Sequence, residues 1–393
     1  MTPGVLLPNQ RRPANWDADK RRMGVTDGMT KDVTGDQLRD DAWRRRPLAP
    51  PPSSSERNSK RNKASATRRT PLLSRILVRA GAPVRPARRH WFVETKEAVM
   101  SLQMRVVHFC MGLVPPLLQS ETATEQMALH APQPAPMPAR MRGRFTATCV
   151  KGITRVFPKR GLRSGGVLIY LHGGAYAYPM VAAQWGIVEG LIDRTGLPVI
   201  IPDYPIAPAH TATDAFDIVQ PIIDKARAEF GRVILFGDSA GGGLALSLAM
   251  QRRDAGARQV DGLVLYAPWV DVTMTNPRIE EVQRRDRVLR VPGLAWAGRA
   301  WAADLDPTDP RVSPLYGDPS RLPPMRIFQG DADIVGPDVI EFARKAARAG
   351  VDVRLRVEPD GFHVYVLGVP IIPEAVAALD RSARFISWIL TQS

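Results

Sequence analysis

Beyond about Arg144, short apolar runs alternate with longer stretches of helical character. "GVLIYLHGG", "LPVIIPDYP", "RVILFGDS", "GLVLYAPWVD", "MRIFQGDAD" and "VDVRLRVEPDGFH" each place β-branched and aromatic residues in a run too short for a helix, which predicts buried strands. Between and after them, 181–194, 212–230, the stretch following Ser239, 340–349 and 375–390 predict helices. This alternation predicts an α/β chain with a doubly wound, mostly parallel sheet and helices on both faces. In such sheets ligands bind at the carboxyl ends of the strands. His172, Ser239, Asp333 and His363 all fall at or just beyond those ends.

The run "RVILFGDSAGGGLALSLAM" carries the sharpest signal. Gly237, Asp238, Ser239, Ala240 and Gly241 fit G-x-S-x-G, whose small flanks let a serine sit on a strained strand-to-helix turn with its Oγ clear of the sheet. A plain N-cap explains Ser239 but not glycines on both sides. The run also lacks the Lys-Ser/Thr ending of a phosphate loop and the G-x-G-x-x-G spacing of a dinucleotide site.

A serine hydroxyl needs a base, and the base an orienting carboxylate, in the chain order Ser, acid, His. His363 is the one histidine of six beyond Ser239, and "PDGFHVY" places it in a loop after a strand. "QGDADIVGPD" offers three carboxylates. Asp333 lies beyond the strand end and is preferred, Asp331 is nearly as good on spacing alone, and Asp338 beside Pro337 reads as a helix cap. Donors for an oxyanion come from "LHGGAY": the amides of Gly173 and Gly174, with that of Ala240, predict a three-donor hole.

Composition alters this picture at one end. The net charge is +15, but residues 1–90 hold 21 Lys and Arg against 8 Asp and Glu, so +13 of it resides there and the remainder is nearly neutral. A specific nucleic-acid partner is therefore not indicated. The Pro-, Ser- and Arg-rich segment predicts a largely disordered extension over 1–90, able to touch anionic surfaces weakly. Without an apolar segment near Met1 the expectation is a cytoplasmic protein. Two cysteines, Cys110 and Cys149, support neither a disulfide framework nor a metal cluster, and no cofactor motif is present. The lipophilic stretch 98–119 carries Arg105 and His108 and is broken by Pro115 and Pro116, which argues against a membrane span. It predicts an amphipathic helix that roofs an apolar pocket, with peripheral membrane contact as the alternative.

"YLHGGAY", "IIPDYPIAPAH", "GDSAGGGLAL", "YAPWVDVT", "DPRVSPLYGD", "LPPMRIFQGDADIV" and "GFHVY", in this order over about residues 140–392, resemble the hormone-sensitive-lipase-like branch of the α/β-hydrolase fold. The resemblance implies Ser239 as nucleophile, Asp333 as acid, His363 as base, and Gly173, Gly174 and Ala240 as the oxyanion hole, with His172 a structural member of its loop. It also implies a helical cap, built from 91–140 and from an insert at about 276–306 of the catalytic region 141–393. Trp296 and Trp301 of that insert either line an acyl or alcohol pocket or pack the cap onto the body. Two departures stand out: the usual third glycine is Ala175, and the usual Arg and Glu of the Y-R-L-A-P-E-H run are Pro205 and Ala209, implying altered loop packing.

These observations predict a metal-free serine hydrolase of apolar carboxylic esters, esterase or lipase in kind, with a small-molecule ester as its partner. Acyl transfer, or lactone or amide hydrolysis, would use the same triad. A binding protein on the same scaffold is the reading from another class.

Overall fold

The computed structural model describes residues 92–95 and 100–392 apart from 114 and 117, so the expected basic extension over 1–90 lies outside the described residues. Nine strands form one sheet among them: β1 (Phe92–Thr95), β2 (Phe145–Val150), β3 (Ile153–Pro158), β4 (Gly166–Leu171), β5 (Val199–Pro202), β6 (Arg232–Asp238), β7 (Gly262–Tyr266), β8 (Met325–Gly330) and β9 (Val353–Glu358). Their order is β1-β9-β8-β7-β6-β4-β5-β3-β2, parallel except where β3 pairs with β2 and β5.

The central strands β4 and β7 are buried at every residue and β6 at all but its first, because helices cover both faces and an unbroken apolar run is what such a position selects. The antiparallel pair β2 and β3 escapes that signal. It lies at one end of the sheet, and apart from Phe145 and Val156 its residues are exposed or half-buried, so its sequence carries no apolar run.

The helices are α1 (Leu102–Met111), α2 (Glu121–Leu129), α3 (Trp185–Thr195), α4 (Ala212–Phe230), α5 (Ala240–Asp254), α6 (Ile279–Gln283), α7 (Val291–Ala302), α8 (Gly336–Arg348) and α9 (Pro373–Thr391). Helix α4 spans the predicted residues. Helix α8 begins four residues earlier than its apolar pattern, because Pro337 fits the first turn, where no amide partner is needed. Asp338 therefore lies inside the helix and does not cap it: the N-cap position is Val335, and Asp338 accepts the Asn276 side-chain amide at 2.6 Å instead.

Among the described residues of the stretch 98–119 the helix is α1, started by Ser101, whose Oγ accepts the Met104 amide at 3.1 Å. Its apolar content does not simply roof a pocket. Among its described residues Met104 alone is buried, while Leu102, Val106 and Phe109 form an exposed stripe on α1 and Leu113, just beyond the helix, is exposed as well. Helix α2 packs against α7 of the insert: a Cβ on Gly293 would stand 2.1 Å from the Leu118 oxygen and 2.5 Å from Thr124 Oγ1, so glycine permits the approach. No helix among the described residues is long and apolar enough to cross a membrane.

Candidate active site

Strand β6 ends at Asp238 and α5 begins at Ala240, leaving Ser239 alone to turn the chain, at φ 50° and ψ −120°. A non-glycine residue there stores strain of about 1–3 kcal/mol, which the surroundings must hold. They do so through the backbone: the Ser239 amide donates to Tyr266 O at 2.9 Å, and its carbonyl accepts from Trp269 at 2.9 Å and Gly242 at 3.0 Å. The flank has no room for a side chain, since a Cβ on Gly241 would lie 1.9 Å from the Leu171 oxygen.

The turn places Ser239 Oγ 2.8 Å from His363 Nε2, while His363 Nδ1 lies 2.9 Å from Asp333 Oδ2. The hydrogen pattern that satisfies both contacts puts a proton on Nδ1 facing the carboxylate and leaves Nε2 to accept from the serine. Asp333 is fully buried; its Oδ2 also accepts from Gln329 Nε2 at 2.7 Å and its Oδ1 from the Val335 amide at 3.1 Å. Burial draws the His363 pKa down, but the charge and hydrogen bond of Asp333, then the charges of Asp286 and Asp238, leave it above the ordinary imidazole value.

The other acid candidates lie elsewhere. Asp331, two residues away, faces solvent, where it pairs with Arg285 at 2.6 Å and accepts the Asp360 amide at 2.7 Å. Asp338 is buried, and burial pushes its carboxyl up to about 7, but its partner is Asn276. His172 is buried and stacked on Tyr204 at 4.4 Å, with Nδ1 on the Gly173 oxygen at 2.9 Å; burial lowers its pKa and keeps it neutral.

The loop after β4 is held by a residue the sequence reading passed over. Asp238 accepts from Tyr170 Oη, from Gln184 Nε2 at 2.9 Å and from the Gly173 amide at 3.0 Å. The Gly173 amide is therefore committed to this carboxylate, which corrects its expected place as an oxyanion donor. The amides of Gly174, Ala175 and Ala240 meet no acceptor among the described residues. Gly174 takes φ +135°, and a Cβ on it would stand 2.1 Å from the Tyr178 oxygen, whereas Ala175 accepts a left-handed φ of 53°. The signal for Asp238 was its place immediately before the serine, on the strand that runs beside β4.

The departures at Pro205 and Ala209 leave that loop attached: Tyr204 Oη donates to His172 O at 2.6 Å and the Ala207 amide to Tyr176 O at 2.7 Å. Of the two tryptophans of the insert, Trp301 is fully buried and stacks on Tyr176 with 4.3 Å between ring centres, so it packs the insert onto the loop after β4. Trp296 is only partly buried.

Comparison with known proteins identifies the fold. The alpha/beta hydrolase fold family matches residues 168–367. LipR of Mycobacterium tuberculosis is 34% identical over 249 residues, 61% of this chain and 80% of that protein. An esterase of Acinetobacter venetianus is 30% identical over 223 residues, 56% of this chain and 74% of its own. A crystal structure of an esterase from the bacterial hormone-sensitive lipase family superposes with a TM-score of 0.64 at 22% identity, covering 75% of this chain and all of the other. The chain belongs to the α/β-hydrolase fold family.

Proposed function

We propose that this carboxylesterase-type hydrolase works through Ser239 as nucleophile, His363 as general base and acid, and Asp333 as the carboxylate that orients the imidazole. The observation that carries the reading is the unbroken Ser239–His363–Asp333 relay, at 2.8 and 2.9 Å, on a serine held at positive φ. Ser239 Oγ attacks the ester carbonyl carbon as His363 Nε2 takes its proton. The imidazolium that forms is stabilised by Asp333, and the oxyanion by the amides of Gly174, Ala175 and Ala240, each donor contributing roughly 3 kcal/mol to the barrier reduction. Collapse of the intermediate expels the alcohol with the proton from His363, and water activated by the same imidazole releases the acid. Ala175 serves without a third glycine because an oxyanion donor needs only an amide. Its methyl accepts a left-handed backbone at a cost of about 1–2 kcal/mol.

The substrate class that suits the surroundings is an uncharged ester, since the rings beside the loop after β4 are apolar and buried, Tyr176 stacking on Trp269 with 5.5 Å between ring centres. The exposed stripe of α1, together with the basic segment that precedes it in sequence, supports peripheral contact with an anionic membrane surface. The test of the catalytic reading is hydrolysis of a p-nitrophenyl butyrate solution by the purified chain. Activity should disappear in Ser239→Ala, and a serine-directed phosphonate should label Ser239 in the wild type only. Retention of more than a few per cent of turnover by Ser239→Ala refutes the reading.

A further inference from the structure

Asp286 lies in the turn between α6 and α7 of the insert and is fully buried. Its Oδ1 closes that turn, accepting the amides of Val288 at 2.7 Å and Leu289 at 2.9 Å. Closing a turn requires an acceptor but no charge; serine or asparagine would suffice. A fully buried carboxylate therefore calls for a second use, and the other oxygen supplies one. Asp286 Oδ2 leaves the insert and accepts the amide of Ile334 at 2.9 Å.

Ile334 follows Asp333 directly, and the next amide, that of Val335, donates to Asp333 Oδ1. Two successive amides of the loop that bears the acid are thus held by two carboxylates, one on the loop and one brought in by the insert. We propose that Asp286 is a positioning residue for the catalytic pair. Through Ile334 it fixes the loop so that Asp333 stays on His363 Nδ1, and its negative charge adds to that of Asp333 in favouring the imidazolium formed during attack. The proposal rests on the triad reading above and gives the insert a part in the chemistry.

The charges around the pair are few. Asp333 faces Asp286 from the acid loop, and Asp333, Asp286 and Asp238 act on His363. Arg290 spends its guanidinium on the main-chain oxygens of Asp286 at 2.8 Å and Leu289 at 2.7 Å, and Arg285 pairs with Asp331. The imidazole of His108 on α1 bonds to the Arg285 main-chain oxygen at 3.3 Å. Burial, and then the charge of Asp333, push Asp286 up to about 6, and its own charge is among those that raise His363.

The experiment uses the full chain with Asp286→Asn and Asp286→Ser, each checked for folding by circular dichroism and thermal melting. Both retain an acceptor for the turn amides, and both remove the charge together with the acceptor for the Ile334 amide. The rate of p-nitrophenyl butyrate hydrolysis is measured from pH 5 to 9. The expected result is a fall in kcat on the order of tenfold with KM little changed. In addition, the acidic limb of kcat/KM should move to lower pH, because His363 loses a neighbouring negative charge. A purely structural role would not displace that limb. Wild-type kcat and an unmoved limb in a folded variant overturn the proposal, as does a change confined to KM. Failure of both variants to fold also overturns it, by making Asp286 a residue of the fold alone. Ser239→Ala and His363→Ala are run in parallel: if they retain hydrolysis, it is the triad reading that fails.

Discussion

Exchanging each of the two neighbouring carboxylates for its amide separates chemistry from surface. In Asp333→Asn the shape is kept and the hydrogen bonds conflict. Asp333 Oδ2 accepts from both His363 Nδ1 and Gln329 Nε2, and Oδ1 accepts from the Val335 amide. An asparagine must direct its NH2 at one of these two groups. Facing Oδ2's partners, it opposes the Gln329 donor and offers a proton to His363 Nδ1, which moves the imidazole proton to Nε2 and stops it accepting from Ser239. Facing Val335, it sets one donor against another.

The wrong tautomer at a triad histidine costs about ten-thousand-fold in kcat, or about 5.5 kcal/mol of barrier. The unmatched buried donor adds about 1–3 kcal/mol of lost stability. Asp331→Asn removes an exposed pairing with Arg285 and weakens one acceptor for the Asp360 amide, about 0–1 kcal/mol of stability with kcat unchanged. Steady-state kinetics on p-nitrophenyl butyrate, with urea unfolding of the same preparations, reads both quantities. Loss of activity in Asp331→Asn with Asp333→Asn retaining a tenth or more would refute the assignment of the acid and the tautomer argument with it.

Because His363 must be neutral to accept the serine proton and its pKa is raised above 6.5, kcat/KM should climb through an acidic limb lying above pH 6.5; a limb below that value contradicts the role of Asp333. Gly174→Ala should abolish activity and lower the melting temperature, since its Cβ would stand 2.1 Å from the Tyr178 oxygen, whereas Ala175→Gly should keep activity within a few-fold; measuring both variants locates the oxyanion loop. Asp338 has a carboxyl raised to about 7 from 3.8, so its ionisation opposes folding: stability should be full below about pH 4 and decline as pH rises to about 7, by at most about 4 kcal/mol, and Asp338→Asn should flatten that slope in urea titrations. Phe109→Asp on the exposed stripe, and separately deletion of residues 1–80, should leave ester hydrolysis unchanged and reduce cosedimentation with phosphatidylserine vesicles in a salt-dependent manner; unaltered binding in both would dismiss the membrane surface as a partner.

The parts of the molecule legible in the sequence are those where burial is complete or geometry is severe. Strands β4, β6 and β7 announce themselves because a strand covered on both faces admits only apolar residues, and the elbow does so because Ser239 needs glycines on either side. Strands β2 and β3 do not, because a pair at the end of the sheet, half-open to solvent, accepts Thr146, Thr148 and Arg155 as readily as apolar residues. The stripe on α1 misleads for a related reason: apolar spacing marks one face of a helix but is silent on whether protein covers it, and here Leu102, Val106 and Phe109 are exposed.

The catalytic residues show the same division at closer range. Ser239 and His363 follow from chain order and from a turn that only certain residues permit, but spacing in "QGDADIVGPD" barely favours Asp333 over Asp331. What separates them is contact with residues remote in sequence. His363 approaches Asp333 from the loop after β9, while Arg285 and Asp360 occupy Asp331. The Gly173 amide was misread for the same cause, since its acceptor, Asp238, comes from a neighbouring strand 65 positions on. A backbone donor in a glycine-rich loop is free for an oxyanion only if nothing folded beside it already accepts its proton. That condition belongs to the assembled sheet, and it shifts the proposed pair of loop donors by one residue along the chain, from Gly173 and Gly174 to Gly174 and Ala175.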